Sequence, residues 1–335
     1  MSILLLMAAL AAPQPSELHS YRDWTVGCDN GRACHATSLL PEDAEWDDAL
    51  FLRVERDGAA DAPVRLTLMG GDGKAAALTA DGKKLRLRAA SGDDDQAVDP
   101  ADVAAAVAAM RSAASLGVVD AGGKRIGAVS LAGASAAMLF IDDVQKRIGT
   151  VTALARPGPR PASNVPAPPP LPVVRSAAVA GATGPKVDDA RIAALRKESE
   201  CIPEDKDWPG YDAEQASIDA DHTLILLGCG AGAYNFSAIP YIAVRAGKGV
   251  RIAIAQFDRK PTSDESDRPM LVNADWVPKE GLLSAFAKAR GLGDCGVGAD
   301  YAWDGTRFRL VEQIEMGECR GSTDYITTWR ATVVR

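Results

Sequence analysis

Tyr21-Arg22-Asp23-Trp24-Thr25-Val26-Gly27-Cys28-Asp29-Asn30-Gly31-Arg32-Ala33-Cys34 reads as a strand, a turn and a second half-cystine, and it sets the character of the whole chain. Tyr21 to Val26 has the aromatic and β-branched content of a strand. Asn30-Gly31 is a hairpin signal, because both residues tolerate positive φ. A disulfide between Cys28 and Cys34 across that turn would clamp it.

Four further cysteines, Cys201, Cys229, Cys295 and Cys319, complete a set of six. Six cysteines allow fifteen pairings, and sequence alone does not choose among them. Pairing Cys28 with Cys34, Cys201 with Cys229 and Cys295 with Cys319 keeps every bridge local. Zinc needs close ligand pairs such as Cys-x2-Cys, which these spacings do not supply with only His19, His35 and His222 available, so neither metal nor cofactor is expected.

The cysteines follow an apolar leader. Ile3-Leu4-Leu5-Leu6-Met7-Ala8-Ala9-Leu10 has the length of a signal-peptide core, and Ala9-Leu10-Ala11 offers a small-x-small cleavage site before Pro13 and Pro15. Residues 1–12 therefore read as a signal peptide, one without a basic residue ahead of its core. The run falls well short of the about 20 apolar residues that span a bilayer, and no stable membrane insertion is expected. Leader and cysteines together predict a periplasmic or secreted protein.

At 335 residues the chain exceeds the size at which single cores stop growing, about 250 to 300 residues, which favours two domains. Nine of the twenty prolines fall between Pro157 and Pro185, a stretch with no helix or strand period that reads as a semi-rigid linker. The expected division is an N-terminal α+β domain over residues 13–156, a Pro/Ala-rich linker over 157–187 and a β-rich domain over 188–335. A formal charge of −8 with no basic stripe argues against nucleic acid and leaves an envelope protein or glycan as the expected partner. Asp93-Asp94-Asp95 lacks the alternate acidic positions of a calcium loop and reads as a solvated loop.

Alternation of Leu50, Leu52 and Val54, then Val64, Leu66 and Leu68, then Leu85 and Leu87 predicts strands. Asp99 and Pro100 cap a helix whose inward face is Val103, Val107 and Met110. A second helix is predicted over 134–148, with Met138, Ile141, Val144 and Ile148 inward and Gly149 ending it. Beyond the linker, a short helix over 188–197 precedes strands at 223–227, 241–244, 250–257 and 325–334, with a further helix expected at 282–289. Tyr301 to Phe308 reads as a hairpin around Asp304-Gly305 with Tyr301 opposite Phe308.

Two patterns invite a chemical reading. Leu224 to Ala233 looks like a strand feeding a glycine-rich dinucleotide loop, but Pro240 and a further strand follow where the crossover helix should be. Arg290-Gly291-Leu292-Gly293-Asp294-Cys295-Gly296 is a dense loop near Trp303 in which Arg290 and Asp294 either present a binding pair or serve local backbone. Histidines are available for a triad, yet no serine sits in a Gly-x-Ser-x-Gly elbow, so no catalytic residue is singled out.

The Tyr21 to Asn30 stretch with Cys34, Gly232-Ala233-Tyr234-Asn235, the Arg290 to Gly296 loop and Trp303-Asp304-Gly305 together resemble a proteobacterial family of exported proteins, the domain of unknown function 1176, over residues 18–335. The opening Trp-x-Val-x-Cys is also similar to that of the invasion-associated locus B proteins. What the resemblance implies is export; it carries over no catalytic residue. The combined expectation is a disulfide-stapled, two-domain α+β protein, β-rich with a few helices. It should act as a non-enzymatic binding or interaction protein of the envelope, with Arg290, Asp294 and Trp303 as candidate contact surface. A metal-independent hydrolase acting on an envelope substrate is the alternative.

Overall fold

A computed structural model describes residues 14–42, 44, 49–71, 73–90, 95–201, 212–247, 249–261 and 268–335. The leader expected at 1–12 and the acidic pair Asp93-Asp94 lie outside the described residues.

The first half contains β1 (His19–Tyr21), β2 (Trp24–Cys28), β3 (Cys34–Ser38), β4 (Leu50–Arg56), β5 (Val64–Gly70), β6 (Ala77–Ala80), β7 (Lys83–Ala89), β8 (Gln96–Val98), α1 (Pro100–Met110), β9 (Ser115–Val119), β10 (Arg125–Ser130) and α2 (Ala134–Val144). Its strands make one ten-stranded sheet in the order β1-β2-β3-β4-β5-β8-β7-β6-β9-β10, antiparallel at every pairing. The sheet curls until its ends meet. Trp24 Nε1 donates to Ser130 O at 3.0 Å and Asp23 N donates to Ala132 O at 3.0 Å. Inside the curl, Trp24, Val26, Leu52, Val54, Leu66 and Leu68 pack against Val107 and Met110 of α1 and Met138 and Ile141 of α2. Asp99 accepts from Ala101 N, the cap that the Asp99-Pro100 pair predicts.

The second half contains β11 (Val173–Arg175), α3 (Asp189–Glu198), β12 (Ala213–Ser217), β13 (His222–Ala231), β14 (Phe236–Ala246), β15 (Gly249–Ile254), β16 (Leu271–Val272), β17 (Asp275–Val277), β18 (Leu282–Lys288), β19 (Gly296–Trp303), β20 (Phe308–Met316), β21 (Ile326–Arg330) and β22 (Thr332–Val334). Two five-stranded sheets result, β12-β13-β14-β15 with β16 joined to β14, and β17-β18-β19-β20-β21. Successive side chains of a strand point to opposite faces, and β13 uses both of its faces. Leu224 and Leu226 enter the core shared with Leu283, Tyr301, Trp303 and Phe308 of the other sheet. Ile225 and Leu227 turn the other way, onto Ile192 and Leu195 of α3. The unbroken apolar run from Leu224 to Leu227 is thus a strand covered on both sides, and Gly228 to Ala231 continues it toward a hairpin.

Disulfides join Cys28 to Cys34, Cys201 to Cys229 and Cys295 to Cys319. With its bridges, its sheets and, among the described residues, three α-helices, the protein is β-rich and of α+β class.

Several local expectations are corrected. Residues 282–289 do not form a helix. Leu282–Lys288 is a strand because β17 and β19 supply ladder partners on both edges, and Leu283 alternates into the core. The second helix stops at Val144 rather than Ile148: Gln145 turns in to bond carbonyls, Lys146 adopts φ 59°, and Ile148 faces solvent. In the β19–β20 hairpin Trp303, not Tyr301, lies opposite Phe308, and Tyr301 pairs with Leu310 in the same register, with a bulge between Asp300 and Tyr301. In the first hairpin Arg32 takes the left-handed conformation, φ 61°, in place of Asn30 or Gly31, with Asp29 Oδ1 accepting from Gly31 N and Ala33 N.

The proline-rich stretch also contains a strand where none was expected. Val173–Arg175 pairs in parallel with Thr332–Val334, Ala177 N donates to Trp303 O, and Leu171 packs at Gly31, where a Cβ would come within 2.9 Å of it. The segment therefore touches both halves of the chain.

Candidate functional site

A groove of about 900 Å³ runs between α1 and the sheet, walled by Arg53, Glu55 and Arg56 of β4, Val64 to Thr67 of β5, Arg88 of β7, Ala97 and Val98 of β8, and Val151 to Leu154. Small-molecule sites fall between about 300 and 1,000 Å³. Five arginines line it, Arg53, Arg56, Arg65, Arg88 and Arg111, against two acidic side chains, Glu55 and Asp95. This local excess of positive charge stands out in a chain whose formal charge is −8.

Some of these cations are already engaged. Arg65 reaches Asp57 at 3.2 Å, and Arg53 Nε donates to Asp324 at 2.9 Å. Arg111 Nε donates to Leu154 O and meets no carboxylate, while the Arg88 side chain makes no hydrogen bond or ion pair among the described residues. Arg56 is 4% exposed and is held by carbonyls only, Ala62 O at 3.2 Å and Thr152 O at 2.5 Å. Burial, and then the charge of Arg147, push its pKa down to about 10.

Arg147 lies behind that wall, fully buried and bonded to Ala59 O, Ala60 O, Gln145 Oε1 and Thr152 Oγ1. The carboxylate of Asp142, also fully buried, faces these two cations but accepts its hydrogen bonds from Leu154 N and Ala155 N, both at 2.7 Å, and from Arg156 N at 3.3 Å. Asp142 thereby fixes the segment that forms one wall of the groove.

Next to the groove the two halves of the chain meet along a polar seam. Asp324 accepts from Arg53 and lies 2.7 Å from His35 Nε2. Arg330 pairs with the buried carboxylate of Asp29, and Asn30 exchanges two hydrogen bonds with the backbone of Arg330. Arg320 bonds Asp23, Arg22 O and Leu40 O. Gly27 keeps the seam tight, since a Cβ there would come within 2.6 Å of Leu18 and 3.0 Å of Ile326.

Burial raises the Asp324 pKa, but the His35 and Arg53 partners outweigh it and hold the group below its usual range. A depressed folded-state pKa stabilises the fold above the unfolded value, near about 4, and that contribution disappears as pH falls through the folded value. Asp324→Asn should cost about 2 to 4 kcal/mol at pH 7 and flatten the acid limb of the stability profile, read by urea melts between pH 2 and 7. Parallel profiles for variant and parent would show that Asp324 carries no such linkage.

Of the residues expected as a contact surface, Arg290 stays half-buried while Asp294 and Trp303 turn inward. Asp294 is 1% exposed, pairs with Arg290 and accepts from Gly321 N at 2.8 Å, so it serves local structure. Trp303 is 1% exposed and donates to Asp219 at 2.8 Å, which corrects its expected exposure. What the loop does present is Leu292, 67% exposed, beside Gly291, against which the Tyr234 ring lies. The groove escaped the sequence reading because its arginines are scattered over 53–111 with no local pattern.

Two further arrangements carry titratable groups. His222 Nδ1 sits 2.8 Å from Asp219, while His35 is committed to Asp324, and no serine or threonine hydroxyl bonds either ring among the described residues. Glu312 and Asp300 lie opposite each other on β20 and β19 and, with Ser284, line a cleft of about 170 Å³. Burial and then Asp300 raise the Glu312 pKa. No group of three or more His, Cys, Asp or Glu is placed to hold a metal ion, and no helix is long and apolar enough to cross a membrane, among the described residues.

The motif residues that open the chain thus serve the core, the first disulfide and the seam. Comparison with known proteins agrees on how far the pattern extends. An uncharacterised protein of Escherichia coli K12, YpfG, is 28% identical over 357 aligned positions, which cover 97% of this chain and 96% of that protein. The crystal structure of invasion associated protein B from Bartonella henselae aligns with 39% of this chain and 99% of its own at 21% identity, with a TM-score of 0.29, too low to bear on the fold. The model of the family described as protein of unknown function (DUF1176) matches residues 18–332, and the chain belongs to that family.

Proposed function

We propose that this chain is an exported protein of the cell envelope that binds its ligand without transforming it, with the arginine-lined groove as the site. The groove carries the proposal: it has the size and the mixed polar and apolar lining of a binding site, and no His, Cys or Ser lines it among the described residues. Three disulfides support a location outside the reducing cytoplasm. Residues 13–156 and 188–335 act as two domains strapped together by 157–187, and the ligand site belongs to the first.

Mass spectrometry of the protein from its native host, before and after reduction and alkylation, tests location and binding together. The expected result is a chain lacking the leader, with no free thiols, that under non-denaturing conditions carries an adduct released intact on unfolding. Full-length mass with free thiols overturns export. The hydrolase reading draws on the raised Glu312 carboxyl beside Asp300, and it displaces the binding reading if the purified protein releases products from isolated envelope material and Glu312→Gln stops that release.

A further inference from the structure

The ligand-site reading of the groove, on which this inference rests, leaves the class of ligand open, and the groove walls narrow it. Arg56, Arg88 and Arg111 have no carboxylate within ion-pair distance among the described residues, and Arg88 and Arg111 are exposed at the rim. Behind them the buried Arg56 and Arg147 face a single buried carboxylate, Asp142. Two desolvated guanidiniums held mainly by carbonyls leave the groove floor positive.

The same walls offer apolar surface that no described part of the chain covers. Val151 is 60% exposed, Val64 and Val103 are half-buried, and Ala104 is exposed. A small inorganic anion would meet the guanidiniums but leave this surface wet. A neutral apolar molecule would cover the valines and strip water from Arg88 and Arg111 without supplying a counter-charge. One ligand satisfies both sets of groups.

We propose that the groove binds an anionic amphiphile, its phosphate or carboxylate head held by Arg88 and Arg111 and its apolar body lying on Val64, Val103 and Val151. Arginine suits the head because its planar fork meets two oxygens of a phosphate or carboxylate at once. Each methylene buried contributes about 0.8 kcal/mol, so affinity should climb with chain length until the groove is filled.

Calorimetric titration of the disulfide-intact protein with inorganic phosphate, butyl, hexyl and octyl phosphate, and neutral octyl glucoside tests this, every amphiphile being kept below its micelle concentration. Octyl phosphate should bind one to one, with affinity rising about tenfold for each two methylenes from butyl to octyl. Octyl glucoside should bind at least tenfold more weakly than octyl phosphate. Arg88→Gln and Arg111→Gln should each weaken octyl phosphate at least fivefold, Arg88→Gln while leaving the melting midpoint unchanged, and raised salt should weaken the parent in the same way. Octyl glucoside binding as tightly as octyl phosphate overturns the anionic head. Inorganic phosphate binding as tightly as octyl phosphate, with loss in Arg88→Gln, overturns the apolar body but keeps the groove as a site. No binding of any probe, with no effect of either variant, sinks ligand class and site together.

Discussion

Asp142→Ala should lower the folding free energy by about 4 kcal/mol, one of the two largest single losses expected in this protein. The carboxylate is fully buried and accepts from Leu154 N, Ala155 N and Arg156 N. Removing it strands buried donors, takes away the carboxylate that acts on Arg56 and leaves Arg147 with Asp61 alone. Each orphaned donor costs about 1 to 3 kcal/mol, and an uncompensated buried charge adds to that. Urea unfolding at neutral pH measures the loss; a change below about 1 kcal/mol would mean that water replaces the carboxylate without penalty. Asp142→Asn, which keeps one acceptor, should fall between parent and alanine variant.

Loss of the Cys201–Cys229 bridge should be nearly as severe. The two residues are 28 apart in sequence, and the chain-entropy model gives about 3.5 kcal/mol for closing a loop of that length. Cys201 follows α3 and Cys229 lies on β13, so the bridge pins the helix to the sheet whose outer face it covers. The Cys201→Ala/Cys229→Ala double variant should melt well below the parent, and α3 amides should exchange faster with deuterium. Equal melting midpoints for the two proteins would show that Ile192 and Leu195 hold α3 without the bridge. The first bridge, only six residues apart and directly across the β2–β3 ladder, should contribute less by the same model.

Elements set by near neighbours were legible in the chain. Asp99-Pro100 announces α1 because a cap and a preset φ act within one turn. The short helix expected over 188–197 is α3, whose cap, Asp188 accepting from Arg191 N, the structure supplies. The alternation in β4 and β5 follows from a period of two on a sheet with one apolar face. Leu282–Lys288 shows the limit: Leu-Leu-Ser-Ala-Phe-Ala-Lys suits a helix as well as a strand, and only the ladder partners on either side decide.

By itself the sequence determined where α1 begins and that β4 and β5 are strands, which cysteines lie near each other along the chain, and the family whose pattern it carries, because caps, periodicity and short loops act over a few residues. Tertiary structure alone decided that Asp294 and Trp303 turn inward, and that Asp142 and Arg147 are buried polar anchors. It also decided that arginines from β4, β5, β7 and the end of α1 share one groove. The reason is physical: whether a charged side chain is buried or presented depends on which carbonyls, carboxylates and apolar walls arrive from distant segments, and no local pattern records their arrival.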